Sequence, residues 1–144
     1  MEINIKRYSR PFYVTLIIFG VLLFIVAPNL IRMVQAIIDW QFLANLLPIS
    51  PLYLVMTGAI WGIGGLIVSV GLWRGWPRMR SIALWCGAAY VLYYWIDRLL
   101  LRSSSLGKSN ETFVIAASII FVGLMVFALT RPRVKLYFGE THEQ

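Results

Sequence analysis

Four long apolar runs, separated by short polar segments, set the pattern of this chain. Pro11 to Ile31 is uncharged for 21 residues, Leu52 to Trp73 for 22 and Thr112 to Thr130 for 19. The third run, Ser81 to Leu101, is uncharged as far as Ile96 and then carries Asp97 and Arg98. About 20 apolar residues in a helix cover a hydrocarbon core of about 30 Å, so each run is long enough to cross a bilayer. The pattern predicts an all-α membrane protein: one domain of four transmembrane helices, residues 11–31, 52–73, 81–101 and 112–130, in an antiparallel bundle. The first run exceeds the apolar core of about 7–15 residues found in a cleavable signal peptide and has no A-x-A site. It is expected to remain as a membrane helix.

The segments between the runs have their own signals. Pro28-Asn29 falls near the end of the first run, where a proline removes a helical hydrogen bond and predicts a kink or break. Beyond it Arg32, Gln35 and Asp39 recur on one helical face, with Ile31, Val34, Ile37 and Ile38 on the other. Residues 32–47 therefore read as an amphipathic extension lying in the interface, where Trp40 belongs. Pro48 and Pro51 bracket a short turn. Trp73-Arg74-Gly75-Trp76-Pro77-Arg78-Met79-Arg80 predicts a tight basic turn against headgroups. Ser103 to Asn110 is a polar loop with Gly107 and Lys108; its Asn110-Glu111-Thr112 glycosylation acceptor abuts the fourth run and is expected to stay unmodified.

Small residues are in register on the second run. Gly58, Gly62, Gly65 and Ser69 follow i, i+4, i+7, i+11 and share one face, a pattern that lets helix backbones approach closely in lipid. The partner is either another helix of this chain or a second copy. Ala83 and Gly87 on the third run, four apart, offer a small face able to receive it.

Composition and charge sharpen this picture. Hydrophobic residues make up 60% of the 144 and charged residues only 13%, a balance that a water-exposed surface does not accommodate. The net charge of +7 comes from bases that flank the apolar runs, which points to anionic lipid headgroups and away from nucleic acid. The lone cysteine, Cys86, lies mid-run and reads as a small buried hydrophobe. Four spans place both termini on one side, with Lys6, Arg7, Arg10, Arg74, Arg78, Arg80, Arg131, Arg133 and Lys135; the opposite side holds Arg32, Arg98, Arg102 and Lys108. The side richer in bases is cytoplasmic, so both termini are expected there.

The residues Leu-Leu-Pro-Ile-Ser-Pro-Leu-Tyr before the second run and Leu-Trp-Arg-Gly-Trp-Pro after it carry a resemblance, together with Tyr-Tyr-Trp-Ile-Asp-Arg-Leu-Leu in the third run and Arg-Pro-Arg-Val-Lys-Leu-Tyr-Phe near the end. With them the chain resembles small, uncharacterised four-helix membrane proteins of bacteria. The resemblance implies a bacterial inner-membrane location and brings no established activity or catalytic residue.

Candidate chemistry concentrates in Tyr90 to Arg102. Ionisable groups at membrane depth are functional candidates once a partner can be named. At 1.5 Å per residue, Arg32 lies about 30 Å from the start of the first helix and Asp97 about 24 Å from the start of the third, both in the outer half. Asn29 falls at the depth of Asp97, and Tyr90, Tyr94 and Asp97 share a face at i, i+4, i+7. Thr57 and Ser118 enter the same half. Asn29, Arg32, Tyr90, Tyr94, Asp97 and Arg98 are thus the expected outer-leaflet polar cluster. It is read first as a structural pair of Asp97 with Arg32 or Arg98, and second as a binding or ion site. Catalysis is not expected: no second acid converges on the cluster, there is no CxxC and no metal-ligand set, and the only histidine, His142, sits in the C-terminal tail. No cofactor is implied. The chain reads as a non-enzymatic structural or interaction component packing through its glycine-rich second helix, with a homo-oligomer or a larger membrane protein as partner. The alternative is an oligomeric transporter, channel or ligand-binding protein built around Asp97.

Overall fold

The computed structural model describes residues 10–46, 49–100 and 111–139. Lys6, Arg7, Arg102, His142 and the whole polar loop, with Lys108 and the acceptor residue Asn110, lie outside the described residues. Over the described residues the chain is all-helical and has no strand. The helices are α1 (Phe12–Val21), a single π-helical turn (Leu22–Val26), α2 (Ala27–Ile38), α3 (Trp40–Leu46), α4 (Pro51–Arg74), α5 (Met79–Leu100), α6 (Glu111–Leu129) and α7 (Pro132–Tyr137). Two rods, Phe12–Ile38 and Pro51–Arg74, are long and apolar enough to cross a membrane.

Of the kink or break expected at Pro28, the break does not occur. The helix does not stop there; it widens into the π turn just before the proline and runs on to Ile38, seven residues past the end of the run that predicts it. The ring nitrogen of Pro28 cannot donate, which leaves the Phe24 carbonyl without its i+4 donor. The extension over 32–47 is likewise not one piece: its first part belongs to α2, and a turn at Asp39 separates it from α3, which has no buried residue.

The long helices form an antiparallel circuit in which α1–α2 contacts α4, α4 contacts α5, α5 contacts α6 and α6 returns to α1. The α1–α2/α4 seam is the closest. A Cβ built on Gly58 would lie 2.7 Å from the Asn29 carbonyl oxygen, one on Gly62 2.5 Å from Leu30 Cδ2, and one on Gly65 2.7 Å from Val26 Cγ2. Ser69, buried next on this face, returns its hydroxyl to the Gly65 carbonyl at 2.8 Å. The glycine face is thus used within the chain, by the first rod. The expectation that Ala83 and Gly87 receive it is corrected: Gly87 instead lies under the thioether of Met125 from α6, whose Sδ a Cβ there would meet at 2.7 Å.

α4 ends in a Schellman motif. Gly75 sits at φ 67° and the Trp76 N–H reaches back to the Gly71 carbonyl at 3.1 Å. The Tyr137 hydroxyl then donates to the Trp73 carbonyl at 2.8 Å, satisfying a second helix-end acceptor. That tyrosine belongs to α7, a helix the sequence pattern does not announce. α7 closes the basic end of the circuit, where Val14, Leu72, Leu129 and Val134 are all fully buried and Phe138 nearly so.

Candidate functional site

At the opposite end the core is polar. Arg32 on α2 meets Asp97 on α5 in a two-pronged pair: Nη1 donates to Oδ2 at 2.8 Å and Nη2 to Oδ1 at 2.9 Å. This fork geometry is the strong form of an arginine–carboxylate contact. The Tyr53 hydroxyl, from the start of α4, donates to Oδ1 at 3.0 Å. Tyr93, one turn before Asp97, accepts from Arg32 Nη1 at 3.1 Å, and its hydroxyl lies 3.5 Å from Oδ1. Three rods therefore converge on one carboxylate.

A second strand of the network runs from the π turn. The Asn29 amide donates to the Ile25 carbonyl at 2.7 Å and to the Tyr90 hydroxyl at 3.1 Å, while Tyr90 donates to the Phe24 carbonyl at 3.4 Å. The Phe24 carbonyl, which Pro28 leaves without a donor, is thus met by the Tyr90 hydroxyl. Trp61 on α4 braces both tyrosines, with ring centroids 5.1 Å from Tyr90 and 5.2 Å from Tyr93.

Asn29, Arg32, Tyr90 and Asp97 thus come together as the sequence implies. Tyr94 does not join them: its ring packs edge-on to Trp95 instead, and Tyr93 takes the place expected of it. Arg98 is half-buried beside Asp97 in sequence, but the guanidinium that grips the carboxylate in the fork is that of Arg32. Thr57 turns back to the Tyr53 carbonyl at 2.7 Å rather than into the cluster, and Ser118 is half-buried on α6. Tyr53, Tyr93 and Trp61 are the residues the sequence reading misses. A signal for Tyr53 exists: it and Asp97 each lie 22 residues from Gly75, the turn of the α4–α5 hairpin, so an antiparallel pair brings them level.

No family model, curated protein or solved structure matches this chain.

Chemically the cluster is a closed clamp. Both carboxylate oxygens of Asp97 are taken by donors, and its side chain is 11% exposed against 25% for Arg32. Among the described residues no three His, Cys, Asp or Glu side chains gather as a metal site would require. At the basic end, the Arg10 guanidinium lies 3.5 Å over the Trp73 ring and that of Arg131 3.8 Å over Phe127, while Arg80 reaches the Leu129 carbonyl at 3.4 Å. Arg74, Arg78 and Arg133 are exposed at the same end, with Lys135 half-buried.

Proposed function

We propose that the chain is a four-span protein of the bacterial inner membrane, with both termini cytoplasmic, acting as a structural or protein-interaction component rather than an enzyme. The observation that carries this reading is the closed clamp around Asp97, which spends its charge on joining rods. The outward faces of the helices support a lipid setting: Met56, Ile60, Ile63, Ile67 and Val70 form an exposed apolar stripe on α4, and Ile119, Ile120 and Leu124 do so on α6. Exposed bases gather at the end where Arg10 and Arg131 also lie, which suits anionic headgroups of the inner leaflet. The glycine-bearing α4 serves assembly from within by seating the first rod, and a partner or second copy would meet its outer stripe. A reporter that works only in the cytoplasm, fused after Gln144, is expected to be active; activity confined to a periplasmic reporter overturns the orientation.

A second reading keeps the clamp as an outer-leaflet ligand or ion site in an oligomeric transporter. The partial exposure of Arg32 favours it, since a guanidinium open to one side can be reached by an incoming anion. Flux through proteoliposomes that disappears in Asp97→Asn supports this reading, and flux insensitive to that change removes its central residue.

A further inference from the structure

Between the packed basic end and the polar clamp the helices do not fill the space. A cavity of about 170 Å³ lies between the π turn, α4 and α5, with Met125 of α6 at its floor. Its walls are Val21, Ile25, Trp61, Val68, Ala83 and the Cys86 face of α5, and the lining is almost wholly apolar. Three glycines, Gly64, Gly65 and Gly87, create the volume by withholding side chains. They are not equivalent. A Cβ on Gly65 or Gly87 would strike Val26 or Met125, whereas one on Gly64 meets nothing within 4 Å. The glycine at position 64 therefore answers to no packing demand, and its effect is to leave the cavity open. On the outer side the cavity ends at Ile60, which is 60% exposed and belongs to the apolar stripe of α4.

An apolar cavity of this size stays dry and takes up apolar guests; about 150 Å³ suffices for a benzene ring. We propose that the cavity is an acyl-chain site, which receives the end of one hydrocarbon chain of a bilayer lipid through the gap beside Ile60 and Gly64. The inference rests on the membrane reading above, because only in a bilayer does that gap open onto hydrocarbon. The chain end replaces the contacts that the missing side chains do not make, and Trp61 forms the wall between it and the polar clamp. Cys86, the only cysteine, serves as part of that apolar wall.

The test uses the full chain in phosphatidylcholine vesicles doped with a phosphatidylcholine that carries a diazirine near the methyl end of one acyl chain. After irradiation, peptide mapping is expected to find cross-links at the interior residues Val68, Cys86 or Met125 as well as at the outward Ile63 and Ile67. Gly64→Leu, which fills the cavity from a position where a side chain fits, is expected to abolish the interior cross-links and leave the outward ones unchanged. If the leucine variant does not fold, Gly64→Ala narrows the cavity by one methyl and is expected to lower the interior yield with the outward yield constant. Interior cross-links absent from the wild type, or unchanged in the variants, overturn the acyl-chain site while outward labelling keeps the membrane reading intact. Absence of outward labelling as well overturns both.

Discussion

The carboxylate of Asp97 holds three helices because each supplies a donor that the others cannot replace. Arg32 brings the fork, Tyr53 a single hydroxyl, and Tyr93 a hydroxyl shared between acid and base. Removing one member of such a pair strands the other's charge, at about 3–5 kcal/mol for a fully buried pair. The residual exposure of Arg32 screens this one, so a loss nearer about 2 kcal/mol is expected for Arg32→Gln or for Asp97→Asn. The double variant is expected to lose little more than either single one, which a thermal melt of the four proteins in mild detergent would read as coupling of about 1–2 kcal/mol. Fully additive losses would mean that the two residues stabilise the protein independently. Tyr53→Phe keeps the ion pair and is expected to cost about 1 kcal/mol on the same assay. The acid, the base and Asn29 were readable in the sequence because charges and amides are rare in apolar runs. The choice of Tyr93 over Tyr94 was not, since i−3 and i−4 positions both border Asp97 on a helix and only the packing against Trp61 selects one.

Among the helices, the α1–α2/α4 seam shows what a glycine register can and cannot reveal. The spacing of Gly58, Gly62, Gly65 and Ser69 marked the close-packed face correctly, but spacing carries no information about which helix lies on it. The structure gives the face to the first rod, and with it a sharp contrast between glycines. A methyl on Gly58 would meet the Asn29 backbone carbonyl, which cannot yield as a side chain can. Gly58→Ala is therefore expected to destabilise by about 1–3 kcal/mol, the usual cost of overpacking. Gly64→Ala, with open space ahead of it, is expected to be neutral or to stabilise by up to about 1 kcal/mol through helix propensity. Comparative unfolding of the two variants in detergent decides this, and equal losses would contradict the seam. Because the contact is internal, Gly62→Leu is expected to loosen the fold with no change in oligomer size by light scattering. α7 escaped the sequence reading for a different reason: six residues mixing bases with apolar anchors carry too short a period to distinguish a helix from an interfacial tail.

At the scale of the whole molecule, one end is closed by apolar packing under α7 and the other by the polar clamp, and the first rod contributes to both. Val14 is buried at the first end, while Asn29 and Arg32 act at the second. Extending the inward positions Val14, Ile17, Ile18 and Val21 at 3.6 residues per turn would turn Pro28 to the core and move Asn29 aside. The observed inward set beyond the π turn is Ile25, Val26, Asn29 and Ala36, with Pro28 and Ile31 outside, a shift of one position. The π turn thus behaves as a one-residue insertion that the helix has absorbed locally. Its consequence is an unusual tolerance: deleting the exposed Leu23 would return the turn to ordinary α-helix and rotate both halves back into phase. That deletion is expected to leave a folded protein with Arg32 still opposite Asp97, whereas deleting Ile63, also exposed, from α4, which has no such turn, would swing the rest of that rod by about 100° out of its contacts.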